Sequence, residues 1–221
     1  MRSRPRPQIT SRKQPRQARS TELVAAILEA AVQVLEKEGA QRFTTARVAE
    51  KAGVSVGSLY QYFPNKAAIL FRLQSDEWRQ TADLLRGILE DFERPPFERL
   101  RLLVHAFIRS ECDEAKMRVA LNDAAPLYRD APEARQARAS SDQPVKAFMR
   151  EVLPKASEVT RELAGDLIMT TLGAVGKRFS GKPRTTAEVK VHADAIADMF
   201  CAYLKELRRA LKRDQSQRSS F

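Results

Sequence analysis

Apolar residues in this 221-residue chain recur at spacings of three and four almost from end to end. The first run is Leu23, Ala26, Ile27, Ala30, Ala31, Val34 and Leu35, the buried stripe of an amphipathic helix. Ser20 or Thr21 suits its N-cap, and Gly39 its C-terminal stop. Val48, Ala49 and Ala52 make a short second stripe behind Thr44, another N-cap residue. Gly53 then permits a turn with positive φ. Ser55 caps a third helix over Val56–Tyr62, which Pro64 ends because the residue before a proline resists the helical region. Asn65 caps the helix that follows from Lys66. Two short helices around a glycine-containing turn form a helix-turn-helix, whose second helix fits a major groove.

The same spacing continues to the C-terminus. It predicts a long helix from Ala67 to about residue 92, stopped by Pro95-Pro96, then helices over 97–113 and 115–125. Further helices are predicted over 132–153, with a weak patch at 139–144, over 158–179, and over 186–212 behind a Thr185/Glu188 capping box. No β-type alternation occurs, so the fold class is all-α with about nine helices. The domains expected are a basic arm at 1–19, a helix-turn-helix head at 20–71, a larger helical domain at 72–212 and a tail at 213–221. With 43% hydrophobic and 30% charged residues and Gly 8 against Pro 11, the composition is that of a helical globular chain.

Several classes of function are disfavoured. No apolar run approaches the ~18–20 residues of a membrane span, and the basic N-terminus lacks the apolar stretch of a secretory signal. Cys112 and Cys201 stand far apart without metal-ligand spacing and read as reduced thiols of a cytoplasmic protein. The histidines are His105 and His192 alone. No nucleophile elbow, phosphate-binding loop or paired-histidine motif is present. No metal, cofactor or enzymatic activity is therefore expected.

Charge points elsewhere. The chain carries a formal net charge of +11, and residues 1–19 hold seven of its cations (Arg2, Arg4, Arg6, Arg12, Lys13, Arg16, Arg19) with no acid. With three prolines and almost nothing apolar, this arm is expected to stay unpacked. It reads either as a solubilising tail or as an arm lying along phosphates or in a minor groove. The basic residues from Lys205 to Arg218 read as a solvated helix end that complements the helix dipole.

The helix over 56–62 is unusually equipped. Ser58, Tyr60, Gln61 and Tyr62 crowd hydroxyls and an amide into little more than one turn, and Gly57 permits close backbone approach. Such groups suit phosphates and base edges. The plainer alternative makes Tyr60, Tyr62 and Phe63 core aromatics. It is adopted for Phe63, whereas the two tyrosine hydroxyls need polar partners.

The ordered set Thr44-Thr45, Val48-Ala49, Ala52-Gly53-Val54-Ser55, Gly57-Ser58-Leu59-Tyr60, Tyr62-Phe63 and Asn65-Lys66 closely resembles the DNA-binding domain of the tetracycline-repressor (TetR) family of bacterial transcriptional regulators. The resemblance spans residues 20–71, about a quarter of the chain, and beyond it only architecture transfers. It implies that Thr45, Tyr60, Tyr62 and Lys66 meet phosphate or sugar, and that Ser55 opens the reading helix. Val56, Gly57, Ser58 and Gln61 would face the groove, and Arg47 a phosphate or base edge. Yet residues 20–71 contain five basic and five acidic residues, so a formally neutral head leaves much of the affinity to the arm.

The resemblance also implies a homodimer on a double-stranded, pseudo-palindromic operator, with two heads ~34 Å or a multiple apart. The last two helices would build the interface, through Leu167, Ile168, Thr171, Val175 and Phe179 on one and Ile196, Met199, Phe200 and Tyr203 on the other. Their alternative is monomer core. A small, largely apolar effector would sit against Trp78, His105, Phe107, Met117, Leu121, Phe148, Met149 and Leu172, each of which is otherwise plain core. A repressor released by that effector is the expected function, in a bacterial nucleoid-associated setting. A ligand-independent DNA binder or an activator of the same fold is the alternative.

Overall fold

The structure, a computed structural model, describes residues 8–12, 18–139 and 143–218. Among the described residues there are ten α-helices, one short 3-10 turn and no strand. They are α1 (Ala18–Arg42), α2 (Thr45–Lys51), α3 (Val56–Tyr62), α4 (Lys66–Leu89), α5 (Pro96–Asp113), α6 (Ala115–Ala124), α7 (Pro132–Ala139), α8 (Gln143–Val152), α9 (Glu158–Phe179) and α10 (Thr186–Arg218). Within the helix expected over 132–153 the structure describes α7 up to Ala139 and α8 from Gln143, and residues 140–142, in the weak patch, lie outside the described residues. Helix α10 runs into the stretch expected to be a tail. Helix α4 is unbroken, and Pro95-Pro96 opens α5 instead of stopping α4: Pro96 takes the first turn, where a missing N–H costs nothing.

The chain divides into two compact units. The first combines residues 1–79 with 116–140 and the second residues 80–115 with 141–221. The head expected at 20–71 is therefore part of a larger body that includes α6 and α7. Its core joins Ile27, Ala31 and Leu35 of α1 to Val48 and Ala49 of α2, Leu59 of α3, Phe43, Phe63, and Ile69 and Leu70 of α4. Leu121, Ala124, Tyr128 and Ala134 complete it. In the second unit, Leu100, Val104 and Ile108 of α5 pack with Phe148 and Met149 of α8, Ile168 and Leu172 of α9, and Ile196, Phe200 and Leu204 of α10.

Local chemistry sets the element ends. Helix α1 starts at Ala18, ahead of the expected Ser20 or Thr21 cap, and is broken at Gly39, where φ is +73°. Thr185 and Glu188 form the reciprocal box at the start of α10, with Thr185 N–H donating to Glu188 Oε2 at 2.7 Å and Glu188 N–H to Thr185 Oγ1 at 3.2 Å. The Thr185 N–H, and then the Thr185 hydroxyl, donating to its carboxylate hold Glu188 below its usual pKa. Gly53 adopts φ +67° between α2 and α3. Gly53→Ala is expected to destabilise the fold by about 1–2 kcal/mol, the price of a Cβ in the left-handed region, read as a lower midpoint in urea unfolding of the full chain.

Two charged residues of α5 are buried within the second unit, Glu111 and, more deeply, Arg99. Arg99, on α5, is 1% exposed. Its guanidinium donates to the Leu89 carbonyl at the end of α4 and to Glu151 of α8, and lies 5.2 Å and 5.7 Å from the ring centroids of Phe92 and Phe148. Cys112 and Cys201 are free thiols, and burial raises the pKa of each, which disfavours the reactive thiolate. Among the described residues no helix is long and apolar enough to cross a membrane.

Candidate nucleic-acid interface

Helix α3 is locked at both ends and along its back. Ser55 Oγ accepts the Ser58 N–H at 3.0 Å, satisfying one of the amides that a helix start leaves open. Thr44 does the same for α2, accepting from Arg47 N–H at 3.3 Å. Asn65 Oδ1 caps α4 by accepting from Ala68 N–H at 2.9 Å. Leu59, Tyr62 and Phe63, at spacings of three and four, point into the core. Helical geometry then leaves Val56, Gly57, Tyr60 and Gln61 on the outer face, all exposed.

The outward groups are not all alike. The Tyr60 hydroxyl lies 3.1 Å from Thr45 Oγ1, so two groups that the sequence assigns to phosphate stand side by side on different helices. Ser58 is half-buried, and its hydroxyl is engaged with Ser55 Oγ at 2.8 Å. Lys66 opens α4 half-exposed. Arg47 is turned back toward α1, where it pairs with Glu38 and donates to the Arg42 carbonyl.

Tyr62 departs from expectation. It is 8% exposed, and its ring packs in the core of the head, whereas Tyr60 lies on the exposed face. The physical reason is periodicity: residue 62 shares its helix face with Leu59, whereas Tyr60 lies about 100° around from Leu59. The arm departs as well. Ile9 is 3% exposed and belongs to the head's core, so the arm expected to be unpacked is anchored at this residue, while Gln8, Thr10 and Arg12 stay exposed. Ile9 was the available signal, the lone branched aliphatic among the first nineteen residues. The remainder of the arm, 1–7 and 13–17, lies outside the described residues, as does 219–221 of the tail.

In the second unit the expected interface residues separate by exposure. Ile168, Ile196 and Phe200 are buried in their own unit's core, at 1%, 5% and 4%, and are corrected from surface to core. Leu167 and Met199 are exposed, and Thr171, Val175, Phe179 and Tyr203 are half-buried. Val159 and Leu163 continue the exposed row on α9, and Val191 and Ala195 that on α10. The expected effector walls do not share one core. Trp78, Met117 and Leu121 pack in the first unit, and Phe107, Phe148, Met149 and Leu172 in the second. His105 Nε2 is 2.8 Å from Asp194 Oδ1 of α10. A separate cleft of about 360 Å³ lies between α8 and α9, floored by Val145, Met149 and Met169 and rimmed by Lys146, Glu158, Arg161, Glu162 and Asp166.

A capped helix-turn-helix with a solvent-facing polar helix, set on an all-helical chain, defines a DNA-binding regulator. Two family models agree. "Bacterial regulatory proteins, tetR family" matches residues 27–73, and "Tetracyclin repressor-like, C-terminal domain" matches residues 95–207. The chain belongs to the TetR family of transcriptional regulators. Among curated relatives, the nucleoid occlusion factor SlmA of Vibrio campbellii is 39% identical over 83 residues, which span 37% of this chain and 42% of that protein. Among solved structures, the fatty acid degradation regulator FadR of Bacillus halodurans superposes with TM-score 0.63 at 20% identity, over 85% of this chain and 96% of that one. FadR of Bacillus subtilis, solved in complex with stearoyl-CoA, superposes with TM-score 0.59 at 17% identity, over 80% and 97%.

Proposed function

We propose that the chain acts at the bacterial nucleoid as a homodimeric repressor that reads a pseudo-palindromic operator with α3 and is released by a small ligand. The observation that carries the reading is the outer face of α3. Val56, Gly57, Tyr60 and Gln61 face solvent on a helix that caps and core leave no freedom to turn. Val56 suits a thymine methyl, Gln61 an adenine edge, and Gly57 lets the backbone approach the bases. Thr45 and Tyr60 together suit a phosphate oxygen, and Lys66 a second one. The dimer reading is supported by the exposed apolar rows on α9 and α10, which associate here through Leu163, Leu167, Val191 and Met199. The effector reading is supported by the α8–α9 cleft of the second unit, which has the size of a small-molecule site. Its charged rim favours an amphipathic compound over a purely apolar one. A ligand-independent DNA binder is the second reading, favoured by the closed packing of Phe148, Met149 and Leu172 at 3%, 1% and 0% exposure.

Selection of duplexes from a random pool by the full chain tests the DNA-reading assignment. The recovered duplex should be an inverted repeat, and Tyr60→Phe should bind it about tenfold or more weakly while keeping wild-type helicity, since a hydrogen bond to a charged group is worth ~1.5–3 kcal/mol. Recovery of no preferred sequence sinks the reading. Release of that duplex by an amphipathic compound then separates the repressor from the ligand-independent binder.

A further inference from the structure

We infer that residues 8–12 are a built part of the DNA-binding surface, a strap that completes the C-terminal end of α3 and sets the Arg12 guanidinium beside Tyr60 as a backbone-phosphate contact. The inference rests on the reading of α3 as the helix that meets DNA.

Three contacts fix the strap. Ile9 is buried in the core of the head. Asn65 Nδ2 donates to the Gln8 carbonyl at 2.9 Å while Asn65 Oδ1 caps α4, so one side chain serves both the strap and the helix start. Arg12 N–H donates to the Tyr62 carbonyl at 2.8 Å. The side chain of Arg12 adds a longer bond, from a terminal guanidinium nitrogen to the Tyr60 carbonyl at 3.5 Å. That carbonyl has a specific reason to need a donor. Its ordinary helical partner would be the amide of residue 64, which is Pro64 and has no N–H. The strap thus supplies donors that α3 cannot find in its own chain direction.

Charge gives the strap its second role. The head between residues 20 and 71 is formally neutral, and Arg47 is committed to Glu38. Beyond Lys66, a polyanion therefore draws on cations outside that stretch. Arg12 is exposed, and a guanidinium carries five N–H donors, of which one suffices for the Tyr60 carbonyl. The others remain for a phosphate at the C-terminal end of α3.

The test uses the full chain and the duplex that it selects from a random pool, titrated by fluorescence anisotropy across potassium chloride concentrations. Arg12→Gln keeps a donor for the Tyr60 carbonyl and removes only the charge. It is expected to flatten the plot of log affinity against log salt by about 0.9 per protomer with base preference unchanged, because one phosphate contact is lost. Arg12→Lys should retain the slope. Ile9→Ser leaves every cation in place and should flatten the slope at least as much as Arg12→Gln. A wild-type slope in Arg12→Gln overturns the inference. So does weaker binding at unchanged slope with a lower melting temperature, the signature of an arginine that merely caps α3. Failure of the wild-type chain to select any duplex would instead overturn the DNA-reading assignment, so the two failures are distinguishable.

Discussion

Gly57→Glu is expected to abolish operator binding while leaving the head folded. Gly57 lies in the first turn of α3, and a Cβ built there meets only Ser55 Oγ, at 3.7 Å, which is ordinary contact. Replacing glycine within a helix gains about 0.5–1 kcal/mol of helix propensity. A carboxylate near a helix N-terminus gains further from the dipole. Stability should therefore hold or rise. Binding should fall sharply, because the new carboxylate stands on the face that must approach phosphates and base edges, where a like-charge juxtaposition costs several kcal/mol. A loss of at least ~100-fold in affinity for the selected duplex, at a wild-type or higher thermal midpoint, is the expected pair of readings, about 1.4 kcal/mol corresponding to each tenfold. Gly57→Ala is the control, with a small loss of affinity from a methyl that holds the backbone off. Wild-type affinity in Gly57→Glu would mean that this face does not meet DNA.

Leu167→Glu and Ile168→Glu, one position apart on α9, are expected to fail in different ways. Leu167 is 47% exposed and Ile168 1%. A charge at 167 stays in water in the isolated chain and is buried unpaired only across an interface. Sedimentation at micromolar concentration should show Leu167→Glu as a folded monomer. Its operator affinity should drop by about 10²–10⁴, the gain lost when two linked half-site contacts become one. A charge at 168 enters the core of the second unit among Leu172, Ile196 and Phe200. That variant should lose more than about 4 kcal/mol of stability and fail to fold cooperatively. A Leu167→Glu variant that remains a dimer would move the interface away from α9. Monomeric wild-type protein at the same concentration would refute the dimer outright.

Much of the head is legible in the chain because its determinants are local. Thr44, Ser55 and Asn65 lie immediately before the helices they cap, and Gly39 and Gly53 stand where positive φ is required. The outer face of α3 follows from the same logic, since Leu59 and Phe63 orient the helix. Applied strictly, that periodicity also buries Tyr62, three residues from Leu59. The need of its hydroxyl for a polar partner argues the other way, and the ring follows the spacing. Arg47 illustrates a different limit. Its position at the head's surface can be read from sequence, but its commitment to Glu38, nine residues upstream, depends on how α1 and α2 pack.

The covalent chain alone determined that the fold is helical, where the helix-turn-helix caps and turn lie, and that residues 20–71 are neutral beside a basic N-terminus. Those properties depend on residues within four or five positions of one another, so their physics is complete in a short window. Tertiary packing decided what periodicity cannot rank. It withdrew Ile168, Ile196 and Phe200 into a core while Leu167 and Met199 stayed outside, and it buried Arg99 by offering a carboxylate, a carbonyl and two rings. It also folded residues 8–12 back across fifty positions or more, so that Gln8 meets Asn65 and Arg12 meets Tyr62. Burial is a property of the partner surface as much as of the residue, and that surface exists only once the helices have met.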